Sequence, residues 1–257
     1  MDFVFMLTRN DATVENALDL IEIARPLGLR HIGFKDVGAE ASMLRRLTAA
    51  IREAGASPWM EVVATTREAE LRSIALGRDL GVDLLMGGVH VEEGLRILEG
   101  SATRYLPFAG KPSGHPTRLG GSAPEVEAQC RAFATKGCAG VDILAYRATE
   151  AEPLDLIAAC RRGFGERGVV VVAGSVNSAQ RIASVSESHG VLLALFINRE
   201  AADSACRDSD GLAVVRVDNR EMLARAYRKT VTAKRLPRFA LLRALGTWVN
   251  AQDIGVG

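Results

Sequence analysis

Eight short runs of β-branched or apolar residues alternate along this chain with longer stretches of helical periodicity, and this alternation constrains the fold more than any other feature. The runs begin near Phe3, His31, Trp59, Asp83, Tyr105, Val141, Val169 and Val191. Seven steps separate residues 3 and 191, so one unit takes about 27 residues, the length of a strand plus its crossover helix. Near-continuous apolar strands such as Val169-Val170-Val171-Val172 suit a parallel sheet covered on both faces. Eight units of this kind predict an α/β protein, a parallel eight-stranded (β/α)8 TIM barrel. An open doubly wound sheet would accept the same alternation, but no G-x-G-x-x-G follows the first run.

Helix signals fill the intervals. One stretch starts at Asp11-Ala12-Thr13-Val14-Glu15 and ends at Gly28; others run from Ala41 to Ala54, from Arg67 to Leu80 and from Ala123 to Lys136, each followed by a glycine suited to a C-terminal cap. The 257 residues fit a single barrel domain. Beyond the eighth strand the pattern becomes irregular, and residues 235–257, with Phe239, Leu241, Leu242, Leu245, Trp248 and Val249, form an apolar C-terminal helical tail. Such a tail is expected to pack on the barrel or on a partner subunit of a homo-oligomer.

Charge excludes some partners. Thirty-two Lys plus Arg against 31 Asp plus Glu leaves a net charge of +1, so no overall field draws the chain to nucleic acid or to an acidic membrane. The longest apolar runs, Val169 to Ala173 and Val191 to Ile197, are far shorter than the ~20 residues of a membrane helix. Four scattered cysteines (Cys130, Cys138, Cys160, Cys206), without a C-x-x-C pair or a secretory leader, lead us to expect reduced thiols and a cytoplasmic protein.

In a barrel of this kind the active site is built by the loops that follow the strands. After the seventh and eighth runs come Ala173-Gly174-Ser175-Val176 and Asn198-Arg199. A tight glycine turn leaves backbone N–H groups free and a following helix N-terminus adds its dipole, which together suit a phosphate group. These segments resemble the phosphate-binding (ribulose-phosphate-binding type) (β/α)8 barrel superfamily, at a distance from its characterised members. The superfamily carries a glycine-rich A-G-G-I turn after strand seven and a small-residue turn after strand eight; here Ser175 replaces the second glycine, and Asn198-Arg199 replaces the second turn. The resemblance implies that Gly174, Ser175, Asn198 and Arg199 bind phosphate, with Arg199 able to contact it bidentately.

The second constellation is His31-Ile32-Gly33-Phe34-Lys35-Asp36. A lysine among apolar strand residues can lose its proton near neutral pH and act as a Schiff-base nucleophile or a general base. The Gly33-Phe34-Lys35-Asp36 segment resembles the G-[IF]-K-D segment of pyruvate-type class I aldolases. In that family the lysine stands on a later strand, so Schiff-base and acid roles both stay open for Lys35, beside the plain alternative of a strand-end lysine paired with Asp36. Glu61 is the one charge in Trp59-Met60-Glu61-Val62-Val63-Ala64, and Lys35 on the adjacent strand is its natural partner. Asp142, early in the sixth run, is expected nearer the opposite end of the barrel.

Residues 109–122 form the longest glycine- and proline-rich connection, with Lys111, His115 and Arg118, and they suit a lid over an anionic substrate. The candidate catalytic residues are therefore Lys35, Glu61 and His115, and the candidate substrate-binding residues are Asn10, Asp36, Lys111, Tyr146 and Arg147. His31, His90, His115 and His189 show no H-x-H or H-E-x-x-H spacing, so no metal site or other cofactor is expected, with Mg2+ on Glu61 or Asp36 left open. The expected function is an enzyme that acts on a small phosphorylated sugar or keto acid by proton transfer next to a carbonyl: an isomerase, epimerase or aldolase/lyase. The alternative is a non-catalytic metabolite-binding barrel used for regulation or assembly. Flavin or nicotinamide chemistry is a third and weaker reading.

Overall fold

The computed structural model describes residues 2–9, 11–25, 28–114, 117–166, 168–174, 176, 181, 184–185 and 191–196. The expected tail at 235–257 lies outside the described residues. In chain order the main elements are β1 (Asp2–Met6), α1 (Ala17–Ala24), β2 (His31–Lys35), α2 (Ala41–Glu53), β3 (Ser57–Val62), α3 (Arg67–Leu80), β4 (Leu84–Gly87), α4 (Val91–Leu98), β5 (Arg104–Leu106), α5 (Ala123–Thr135), β6 (Gly140–Ile143), α6 (Pro153–Phe164), β7 (Val169–Val172) and β8 (Val191–Phe196).

The eight strands form one parallel sheet in the order β6-β7-β8-β1-β2-β3-β4-β5. Its two ends also meet: Phe108 and Asp142 form a parallel bridge, Ala109 N–H donates to Asp142 C=O at 2.9 Å, and Ala139 N–H donates to Tyr105 C=O at 2.9 Å. Strands buried on both faces explain why their sequences lack alternation; in β3 every residue from Pro58 to Val62 is buried. Gly140 has a steric reason as well, since a Cβ there would stand 1.9 Å from the Val169 carbonyl oxygen on β7.

Helices cover the sheet with their apolar stripes. On α2, Leu44, Leu47, Thr48 and Ile51 are buried at helical spacing. Thr66 caps α3 by accepting from Ala69 N–H, and Gly81 ends that helix at φ 66°, where a side chain would be strained. The core runs through Phe5, Ile32, Phe34, Trp59, Leu85, Ile143 and Val171, all at most 1% exposed. Burying each such side chain contributes about 1.5–3 kcal/mol, so truncating Ile143 to Ala should cost about 2–5 kcal/mol.

The structure corrects the sequence at two connections. The stretch from Asp11 to Glu15 does not begin a helix: Thr8–Arg9 pairs antiparallel with Ala12–Thr13, Asp11 turns the chain at φ 59°, and α1 starts only at Ala17. The polar residues that read as a helix start serve tertiary contacts instead. Thr13 Oγ1 accepts from Lys35 N–H and donates to Lys35 C=O, both at 2.9 Å, and so ties this small hairpin to the end of β2. The connection after β5 is not structureless either. Lys111–Ser113 and Arg118–Gly120 pair as a second antiparallel hairpin.

Candidate active site

The C-terminal ends of the strands surround a cleft of about 520 Å³. Parallel register sets its floor. Lys35, the last residue of β2, stands beside Glu61 on β3, so the two side chains leave the sheet on the same side. Lys35 Nζ donates to Asp11 Oδ1 at 2.7 Å and lies 3.5 Å from Glu61 Oε2. Lys35 and Glu61 are each 2% exposed, so this ion pair is buried. The expected Lys35–Glu61 partnership is therefore present. Asp11, which sequence reasoning did not select, completes it from the first hairpin.

The surroundings of Lys35 bear on the two roles left open for it. Burial alone pulls its ammonium down, but Glu61, the hydrogen bond and charge of Asp11, and the charge of Asp142 outweigh that and hold it above the ordinary lysine range. Glu61 is pushed up by burial first, with Lys35 opposing. Asp142 is raised well above the usual carboxylate range by burial and then by Glu61, against the weaker pull of Lys35 and Arg147. One ammonium thus faces three carboxyl groups, and the cluster holds more protons than isolated carboxylates would. The placement of Asp142 near the far end is corrected here: it sits one residue before the end of β6 and interacts electrostatically with both Glu61 and Lys35. Its side chain is fully buried, and neither carboxyl oxygen has a hydrogen-bond partner among the described residues.

Other candidates separate into two groups. Arg147, from the short helical turn Ala145–Arg147 after β6, lines the cleft together with Gly174. The two touch: Gly174 adopts φ 68°, and a Cβ there would meet Arg147 Nε at 2.9 Å. The three remaining described candidates stand outside the lining. Asp36 turns away and accepts from Val63 N–H at 3.0 Å and from the Ser73 side chain; its carboxyl is raised, chiefly by burial. That geometry replaces the supposed Lys35–Asp36 pairing. Lys111 bonds Glu125 at 2.8 Å on the exposed side of the second hairpin, where Lys111 and Ser122 hold the Glu125 carboxyl down at about 2. Tyr146 lies under the Arg181 guanidinium, 4.9 Å from its ring centre. Asn10, His115, Ser175, Asn198 and Arg199 lie outside the described residues. The second hairpin contributes Pro112, Ser113, Gly114 and Thr117 to the cleft wall, which is where a lid would stand.

Sequence reasoning also passed over a buried Glu70. It shares the inner face of α3 with Ile74 and Gly77, four and seven residues on, and a carboxylate on an apolar stripe is the signal that could have found it. Among the described residues no group of three His, Cys, Asp or Glu side chains could hold a metal ion. Asp36 is engaged with Val63 and Ser73, and Glu61 faces the Lys35 ammonium. Among the described residues no helix is long and apolar enough to cross a membrane.

No protein-family model matches this chain, and no curated protein does. Solved structures do. Orotidine 5'-phosphate decarboxylase from Pyrococcus horikoshii OT3 superposes with a TM-score of 0.54 at 10% identity over 80% of this chain and 94% of that one. A protein described as QR15, an aldolase, gives 0.54 at 7% identity over 76% and 89%. FabK from Thermotoga maritima gives 0.52 at 12% identity, with 75% of this chain covering 57% of that one. At such identities the likeness speaks for the fold alone. The chain has an α/β fold with a central parallel sheet and TIM-barrel structural neighbours.

Proposed function

We propose that this chain is a closed (β/α)8 barrel enzyme that acts on a small phosphorylated sugar or keto acid by proton transfer next to a carbonyl. The observation that carries the reading is the buried ammonium of Lys35, held between Asp11 and Glu61 at the floor of a cleft. A fixed cation beside a carbonyl oxygen offsets the charge that develops there when the neighbouring carbon loses a proton. Glu61, whose carboxyl burial raises above its ordinary range, is suited to exchange a proton with the substrate. Arg147 over the Gly174 turn is suited to a phosphate on the same rim, in the manner first expected for Ser175, Asn198 and Arg199.

The protonated resting state of Lys35 favours an isomerase or epimerase over a Schiff-base aldolase, because an ammonium is not a nucleophile. Two measurements test this reading. Incubation with dihydroxyacetone phosphate in deuterium oxide should incorporate solvent deuterium at the carbon next to the carbonyl, and Lys35→Met should abolish the incorporation. Borohydride treatment in the presence of the ketone should leave Lys35 unmodified. A reduced adduct at Lys35 would move the assignment to the aldolase class, and absence of exchange by the wild type would remove the proton-transfer reading.

A further inference from the structure

A shift of a carbonyl along an α-hydroxy carbonyl compound moves two protons, one at carbon and one at oxygen, and the Lys35 cluster supplies one acidic carboxyl at the cleft floor. The rim carries a second titratable pair. His90 follows β4 and directly precedes α4. Its Nδ1 lies 2.8 Å from Glu70 Oε2, while Glu70 Oε1 accepts from the backbone N–H groups of Val89 and His90, each at 2.8 Å. Glu70 is 2% exposed, and both residues line the same cleft as Lys35 and Glu61.

As a carboxylate, Glu70 accepts at both oxygens, which makes Nδ1 the donor of the ring. The neutral imidazole must then keep its lone pair on Nε2. Among the described residues Nε2 makes no hydrogen bond, and the His90 side chain is one-third exposed towards the cleft. The carboxylate also accepts from the two backbone N–H groups that directly precede the ring's attachment, so loop and imidazole are positioned together. Gly88 belongs to the same arrangement: a Cβ there would stand 2.7 Å from Glu70 Oε1.

We infer that His90 is a second catalytic acid/base of this cleft, acting through Nε2 on a phosphorylated α-hydroxy ketone or aldehyde, with Glu70 as its positioning residue. The inference rests on the reading of the cleft as a proton-transfer site. Nε2 takes the proton from the carbon next to the carbonyl, the C–H electron pair becomes the carbon–carbon double bond of an enediol, and the carbonyl π pair moves to oxygen. The Lys35 ammonium offsets that charge, Glu61 gives a proton to that oxygen and takes one from the neighbouring hydroxyl, and the imidazolium, whose N–H exchanges with solvent, delivers a proton to the adjacent carbon. No oxidant or reductant is consumed.

The test uses ¹⁵N-histidine-labelled protein and dihydroxyacetone phosphate in deuterium oxide. With its imidazoles neutral, the wild type should show one ring as the Nδ1–H tautomer, absent from His90→Gln. Glu70→Gln keeps an acceptor for the two backbone N–H groups but places an amide NH2 against Nδ1, so the His90 ring should switch to Nε2–H. Deuterium exchange should fall about 10²-fold in His90→Gln and similarly in Glu70→Gln, with unchanged circular dichroism. An Nε2–H tautomer for wild-type His90, or a wild-type exchange rate in His90→Gln, would overturn the assignment. If the wild type exchanges nothing, the proposed function fails separately. Modification of His90 by diethyl pyrocarbonate at Nε2 would still support an available base, and resistance to it would overturn one.

Discussion

The two ends of the strands use the same residue types in opposite ways. At the N-terminal ends, Arg52 and Asp83 form an ion pair at 2.8 Å with side chains 48% and 40% exposed, beside a smaller cavity of about 360 Å³ lined also by His31, Arg78 and Arg104. Ser57 and the Gly81 carbonyl join that pair through hydrogen bonds, so its charges secure chain turns while facing water. At the C-terminal ends Lys35, Glu61, Glu70 and Asp142 are at most 2% exposed. Charges in water cost little to keep and contribute little, whereas buried ones require every partner to be present. A cluster retained under that penalty is where chemistry is expected.

Substitution of Lys35 by Met should separate the two ends most sharply. It leaves Glu61 and Asp11 without their cation, and urea unfolding should report a loss of about 3–5 kcal/mol, together with loss of deuterium exchange. If stability were unchanged, the buried cluster would resemble the exposed pair and the comparison would break. Next comes the pH dependence of Asp142. Its carboxyl is raised in the fold, so above the unfolded carboxylate range the native state keeps a proton that the unfolded chain has released. Wild-type stability should therefore fall as pH rises from about 4 towards the folded value of Asp142. Asp142→Asn, which has no such proton to lose, should gain on the wild type over that window; parallel curves would remove the raised carboxyl from the account. Lys35 acts in the opposite range. Its raised ammonium contributes stability that persists below the ordinary lysine range and is lost only as pH climbs through its folded value.

Smaller effects should follow elsewhere. Gly174→Ala forces a side chain into φ 68° and against Arg147, at a cost of about 1 kcal/mol; it should weaken binding of inorganic phosphate in calorimetry, and unaltered binding would detach this turn from the anion. The smallest change is expected for Asp83→Asn, within about 1 kcal/mol and fading with added salt. A larger loss in salt-dependent unfolding would mean that the two ends differ less than their exposure suggests.

The fold was legible because βα units repeat at a nearly constant length, and the observed strands start within a residue or two of the expected positions. The Lys35–Glu61 pair was legible because both are lone charges at the ends of neighbouring apolar strands. The protonation of Lys35 was not. The strand residues before it are apolar and suggest a lost proton, whereas the carboxyl groups that act on it arrive from residues 11, 61 and 142. The helix start at Asp11 misled for a related reason: Thr13 has the chemistry of a cap, but its hydroxyl is committed to the backbone of Lys35, 22 residues away. Glu70 and His90 stood 20 residues apart with no local pattern joining them.

The double hydrogen bond of Thr13 bears on how such a protein could diversify. Because one hydroxyl grips both the amide and the carbonyl of Lys35, a single side chain stitches the first hairpin to the main chain of the second strand, and Gly38 is kept small beneath it, a Cβ there lying 2.5 Å from the Thr13 carbonyl oxygen. Mutational drift in that corner would displace the ammonium itself. New substrate preferences would more readily arise on the opposite wall, through the hairpin bearing Pro112 and Ser113, which can change its length or tip while the cation keeps its address.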